Sequence, residues 1–349
     1  MIMANKRLHR TSLKDLALEL GVSIATVSRA LRNSPEIGKE MQQKVKELAK
    51  RLNYRPNPFA QSLRKEAPKM IGVVVPNLVT HYYAAVLDGI EDEAQRAGYS
   101  VISANSHEDS TAEVKAIDNF ISLHVEGIVA CLAQDTTDYT HFEELADMGI
   151  PLVFFGRTCL TDRFSCVTAN GDEAAQQATQ HLIDTGSRRI AFIGGPNHLD
   201  MVRRRKHGYL EALRESRLPI DRSLVVCEKI DYEWALQATL QLLSRPDRPD
   251  AIVAFNDIIT FAAFTAIKQA GLAIPRDVAL IGFTDDQHAR YVTPRMSAIE
   301  DQSRLMGQTA CQLLLRNIGG DTTICHRIVP QQVIIRETSA KNAPKDITK

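Results

Sequence analysis

Apolar residues between Ser12 and Leu31 recur at helical spacing in two runs, Leu13, Leu16, Ala17 and Leu20, then Val27 and Leu31, with Gly21 between them. Ser12 with Asp15 three positions on is a capping-box-like start, and Ser23 is placed to cap the second helix. Ile24, Ala25, Ser28 and Arg29 fall off the apolar face and are predicted to point outward. A third helix, from about Lys39 to Leu52, adds Val45, Leu48 and Leu52, so that three helices share one small core. Asn57-Pro58 places a capping residue before a helix-starting proline, predicting a short helix from Pro58 to Arg64 that is marginal alone in water. Lys65 to Lys69 carries no periodicity and reads as a linker.

From Met70 the texture changes. The β-branched runs IGVVV, SVISA, GIVAC, LVFF, IAFIG, AIVAF and VALIGF alternate with helical stretches, which predicts parallel, doubly wound sheets. A faint repeat links IGVVVPN and the later Gly89-Ile90 to IAFIGGPN and the later Gly208-Tyr209, at nearly equal distance. Two similar lobes are therefore expected rather than one large sheet. Such lobes bind ligands at the carboxyl ends of their strands, which here carry Asn77, Ser106, Gly156-Arg157, Asn256-Asp257 and Thr284-Asp285.

The expected division is a helix-turn-helix head over 1–56, a hinge helix and linker over 57–69, and a two-lobed body over 70–340. One lobe takes about 70–167 and 297–325, the other about 168–296 and 326–340, and 341–349 is a flexible polar tail. The fold class is thus an all-α head on an α/β body of two doubly wound parallel-sheet subdomains, and the body motifs resemble those of periplasmic binding proteins.

Charge sharpens this division. The chain balances 42 Lys+Arg against 42 Asp+Glu, yet residues 1–69 hold 15 basic against 6 acidic residues. A head of about +9 on a body of about −9 suits a polyanion-binding module attached to a domain with another task. Cys131, Cys159, Cys166, Cys227, Cys311 and Cys325 form no C-x-x-C pair and no zinc spacing, and read as reduced thiols. MIMANKRLHR lacks the apolar core of a signal peptide and no stretch is long and apolar enough to span a bilayer, so a cytoplasmic protein with no membrane partner is expected.

Catalytic patterns are missing from the chain. Gly194-Gly195 does not extend to G-x-G-x-x-G, neither G-K-[S/T] nor G-x-S-x-G occurs, and His81, His181, His198 and His207 lack H-E-x-x-H spacing. The reading is of a protein that is not an enzyme and needs no cofactor or metal. The alternative is a small-molecule binding protein of the periplasmic type with no role in gene regulation.

A helix in the major groove needs small or hydrogen-bonding side chains in its first turns and a guanidinium that reaches guanine. Ile24 and Ala25 suit apolar contact with base edges such as thymine methyls, and Arg29 suits guanine or a phosphate. Thr11, Thr26 and Ser28 are hydroxyls placed for phosphates. Leu63, among Arg55, Arg64 and Lys65, suits a wedge into the minor groove.

GVSIATVSRAL followed by NYRPNPFAQSLR resembles the lactose-repressor/galactose-repressor family of bacterial transcription regulators, and IGVVVPN, IAFIGGP, FND and AIPRDVALIGF continue the match over nearly the whole chain. The resemblance implies a repressor that binds a near-palindromic operator as a homodimer, with Ser23, Arg32, Tyr54, Asn57 and Leu63 joining the DNA-facing set. It implies paired hinge helices, and an effector in the cleft that orders or melts them. Effector residues carried over are Tyr82, Tyr83, Arg205 and the pair Asn256-Asp257. A dimer is preferred over a tetramer, because the C-terminal segment has no leucine heptads.

The chain departs from the family pattern at Gly156 and Thr284, where aspartates are usual, and Asp285 is placed to replace one of them. With Arg157 and Arg205 kept, a less acidic cleft is expected, favouring a sugar acid or sugar phosphate beside neutral carbohydrates. In the head, Arg32 stands where asparagine is common, and Gly38 where serine caps the third helix.

Overall fold

The structure, a computed structural model, describes residues 11–54, 69–284 and 287–341. The chain forms two compact units, Met1–Pro68 and Lys69–Lys349.

In the first unit, α1 (Leu13–Leu20), α2 (Ile24–Leu31) and α3 (Lys39–Arg51) appear where the periodicity predicts them. Ser12 and Asp15 form a reciprocal capping box, Gly21 turns the chain in the left-handed region, and Ser23 accepts from Thr26 N–H at 3.1 Å. Leu16, Val27, Ala30 and Val45 are fully buried at the centre, with Leu48 and Ala49 beside them. Burying a leucine or valine side chain such as Leu16, Val27, Val45 or Leu48 contributes about 1.5–3 kcal/mol, so this small core depends on each of these four. No side chain caps α3 at Gly38. The expected helix at Pro58–Arg64 lies outside the described residues, as do Asn57 and Leu63.

The second unit contains two six-stranded sheets. The first orders its strands β11-β5-β4-β3-β1-β2, with β1 at Met70–Val75, β2 at Ser100–Asn105, β3 at Gly127–Ala130, β4 at Leu152–Phe155, β5 at Ser165–Ala169 and β11 at His326–Val329. The second orders them β12-β10-β9-β8-β6-β7, with β6 at Ile190–Gly194, β7 at Val225–Cys227, β8 at Ala251–Ala254, β9 at Ala279–Phe283, β10 at Ser297–Glu300 and β12 at Gln332–Ile334. All pairings are parallel except β10 with β12, an antiparallel edge.

The lobe boundaries differ from those expected. Ser297–Glu300 pairs with β9 in the second sheet, His326–Val329 pairs with β5 in the first, and β5 itself runs to Ala169. These strands are short, so their sheet is set by register with a partner distant in sequence rather than by any local pattern.

Helices α4 (His81–Arg96), α5 (Ser110–Ser122), α6 (Thr140–Asp147) and α11 (Ser303–Ile318) go with the first sheet, and α7 (Gly171–Asp184), α8 (Asp200–Glu215), α9 (Tyr232–Leu243) and α10 (Asp257–Gln269) with the second. The repeat has a packing cause. A Cβ on Gly89 of α4 would sit 2.2 Å from the Arg304 carbonyl oxygen of α11, and one on Gly208 of α8 would sit 1.9 Å from that of Asp172 on α7. Each glycine therefore lets two helices meet backbone to backbone.

All six cysteines are unbridged, four of them buried. Burial pushes the thiols up, Cys131 to about 11 and Cys159 and Cys311 to about 12, so they are thiols rather than thiolates at neutral pH. Among the described residues no helix is long and apolar enough to cross a membrane, and no His/Cys/Asp/Glu group is arranged to hold a metal ion.

Candidate functional site

In the head, the outer face of α2 carries the expected side chains. Ile24 is 48% exposed at its first turn, Ala25 and Arg29 are exposed, and Thr26 and Ser28 are half-buried. Ile24 is therefore free of the core. Several polar groups are occupied within the head: Arg29 pairs with Glu36 at 3.1 Å, and Arg32 donates to the Ser28 carbonyl and hydroxyl, each at 3.1 Å. Ser23 and Thr26 hydroxyls share a bond of 2.9 Å, and Thr11 donates its hydroxyl to the Leu52 carbonyl at 2.9 Å. A phosphate contact from Thr11 would cost that internal bond. Tyr54 is half-buried against the core, which raises its phenol pKa.

In the body, a cavity of about 100 Å³ lies between strand ends of the two sheets. It gathers Asn77, Tyr82, Tyr83, Arg157, Arg205, Asn256, Asp257 and Thr284, eight of the nine expected residues. Asp285 lies outside the described residues. The loops and helix starts after β1, β2 and β4 supply one wall and those after β6, β7, β8, β9 and β10 the other, as open α/β sheets do at their carboxyl ends.

Arg157 is held by Glu108 through both carboxylate oxygens, at 2.5 and 2.9 Å, and donates to the Leu132 carbonyl at 3.0 Å. Burial works against its charge, but the Glu108 carboxylate beside it holds the guanidinium protonated. Arg205 is 3% exposed; it donates to Asp301 at 3.0 Å and to the Phe255 carbonyl at 2.5 Å, and its guanidinium carbon lies 3.7 Å from the centre of the Phe283 ring. Burial lowers its pKa, and Asp301 opposes that shift. Tyr82 and Tyr83 meet edge to face at 5.0 Å, and burial raises both phenols well above their ordinary range, so they are neutral.

Asn256 caps α10 by accepting from Ile259 N–H at 3.0 Å, and the Asp257 carboxylate accepts from Ile258 N–H at 2.9 Å. Capping is therefore a real role of both, at the edge of the same cavity. Gly156 has φ +64, and a Cβ built there would sit 3.1 Å from the Tyr82 hydroxyl. That hydroxyl covers the place where an aspartate side chain would start.

The expectation of a less acidic cleft is corrected by two residues that pattern reading did not pick out. Glu108 and Asp301 line the cavity with Asp257, giving three carboxylates against two arginines. Glu108 lies two residues beyond Ser106, already marked as a strand end. Asp301 follows the strand SAIE, whose mixed polar and apolar residues form no continuous apolar run. Phe255, Phe283, Met201, Ile230 and Ile258 supply apolar lining.

Comparison with known proteins agrees with both parts. Residues 12–57 match the family of bacterial regulatory proteins, lacI family, and residues 179–339 match the periplasmic binding protein-like domain. The chain is 30% identical to catabolite control protein A of Priestia megaterium, over 93% of this chain and 98% of that one. It is 31% identical to the ribose operon repressor of Bacillus subtilis (strain 168), over 87% and 90%. Among solved structures, a complex of the transcriptional regulator CelR with cellobiose is 28% identical with a TM-score of 0.72, covering 94% of this chain and 100% of that one. The lac repressor dimer bound to operator, 24% identical, shares the fold with a TM-score of 0.81 over 95% and 99%.

Proposed function

Because the chain belongs to the lacI family of bacterial regulatory proteins, we propose that it is a cytoplasmic repressor that binds a near-palindromic operator as a homodimer under the control of an uncharged carbohydrate. The observation that carries this reading is the pairing of both cavity arginines. Arg157 is matched by Glu108 and Arg205 by Asp301. An anionic sugar would have to break an existing pair and face the remaining carboxylates. A neutral polyol instead meets aromatic faces and amide, hydroxyl and charged hydrogen-bonding groups.

The head reads DNA through Ser23, Ile24, Ala25, Thr26, Ser28, Arg29 and Arg32, with Thr11 and Tyr54 at its margin. Asn57 and Leu63, which lie outside the described residues, belong to the same proposed DNA-contacting set. Neutralising about 6–10 phosphates predicts a loss of roughly a thousandfold or more in operator affinity between low and physiological salt. The test is selection of sites from random duplex DNA with and without cellobiose, D-ribose or D-galactose. A near-palindrome whose recovery changes with one of these sugars is the expected result. Failure to enrich any site contradicts the regulatory reading and leaves a small-molecule binding protein.

A further inference from the structure

The chain passes between the two sheets of the body three times: at Asn170 between β5 and α7, at Asp301 between β10 and α11, and at Gln331 between β11 and β12. One residue from each crossing meets the others. The Gln331 backbone N–H donates to Asn170 Oδ1 at 2.8 Å, and its side-chain Nε2 donates to Asp301 Oδ1. That same oxygen accepts from Arg205 Nη2 at 3.0 Å. A Cβ on Gly171, next to Asn170, would meet Arg205 Cγ at 3.3 Å and Gln331 Oε1 at 3.5 Å. The arginine stem and the amide therefore close over the first crossing too.

Asp301 is 8% exposed and Gln331 7%. At this burial water cannot readily replace a lost partner, so the bonds hold a geometry. Arg205 has its other side on Phe283 and the Phe255 carbonyl, in the cavity wall. A single buried side chain thus has the cavity at one side and the three crossings at the other. Lobes joined this way open or close only by changing backbone angles at the crossings.

We propose that Gln331 is a positioning residue that ties Arg205 to all three crossings, so that a ligand engaging Arg205 acts directly on the hinge between the lobes. The inference rests on the reading of the cavity as the effector site. A ligand shifts a conformational equilibrium only by binding its two states differently, and this knot is a place where occupancy and hinge geometry share one hydrogen-bonded group.

Gln331→Met keeps the side chain's length and the main-chain bond to Asn170, and removes only the link to Asp301. The first measurement is hydrogen exchange on the ligand-free full chain, over 169–173, 299–304 and 329–333. Exchange is expected to accelerate in all three segments together, by about tenfold. Acceleration confined to 329–333 overturns the proposal.

The second uses an operator fragment selected from random DNA, with cellobiose, D-ribose and D-galactose as probes. The factor by which a saturating sugar changes operator affinity is expected to fall at least about fivefold in the variant. A purely structural role would lower the melting temperature and leave that factor unchanged, which also overturns the proposal. If none of the three sugars binds the unmodified protein, the carbohydrate reading fails, and the exchange pattern still decides the role of Gln331.

Discussion

Glu108 grips Arg157 through both carboxylate oxygens, at 2.5 and 2.9 Å, joining the loop after β2 to the end of β4 inside the cavity. Neither side chain is well exposed, so solvent screens the pair weakly, and the carboxylate sets how much positive charge a ligand meets. Glu108→Gln keeps the shape and the acceptor for Gln134 N–H while leaving Arg157 uncompensated. Affinity is expected to shift toward anionic sugars by about tenfold, in line with 1.4 kcal/mol from one charge-assisted contact. Calorimetric titration with D-galactose and D-galacturonate checks this, and an unchanged ratio of the two affinities would count against it.

Arg29 must leave Glu36 to reach a base. Both groups are exposed, so breaking the pair costs about 0–1 kcal/mol and does not block DNA reading. Arg29→Ala is expected to weaken operator binding by about 1–3 kcal/mol and to relax preference at one base pair of each half-site. Binding to a set of single-base operator variants reads this directly. Weakening that is uniform across the set would assign Arg29 to a phosphate instead.

The contact of Gly208 with the Asp172 carbonyl leaves no room for a side chain. Gly208→Ala has to push α8 from α7, at an expected cost of about 1–3 kcal/mol. Thermal melting of the body should fall by several degrees while the head's helical signal is retained. An unchanged melting temperature would mean that the two helices separate freely.

His181 sits half-buried on α7, with Nε2 2.9 Å from the Ser339 hydroxyl, and burial holds its pKa below the ordinary 6.5. The unfolded chain therefore binds this proton more readily than the folded one. Stability is at its full value above the unfolded pKa and declines as pH falls below 6.5. Lowered carboxylates such as Asp277 lose their contribution in a separate window, below 3.8. Melting temperatures from pH 8 to about 5 should decline in the natural chain and flatten in His181→Gln.

The head was legible because its information is local: the spacing of Leu13, Leu16, Ala17 and Leu20, and caps at Ser12 and Ser23, specify three helices without reference to the rest of the chain. The central strands were legible for the same reason, as continuous apolar runs even where, like β3, β4 and β8, they are only four residues long. SAIE and HRIV were not, because their four residues mix polar with apolar types and their sheets are chosen by β9 and β5. The cavity was legible where a residue ends a recognised strand, as Arg157 and Asn256 do. Glu108, Asp301 and Gln331 escaped because they matter through partners 49, 96 and 30 positions away in the chain.

The central claim is that an uncharged sugar in the body's cavity governs how tightly the head binds DNA. The direct measurement is fluorescence anisotropy of a labelled, selected operator, titrated with the full chain at fixed salt in the presence of D-galactose, D-ribose, cellobiose or D-galacturonate. One neutral sugar is expected to change operator affinity by about 5-fold to 150-fold, with the uronate inactive. An operator affinity that only the uronate alters, or that none of the four alters, would contradict the account.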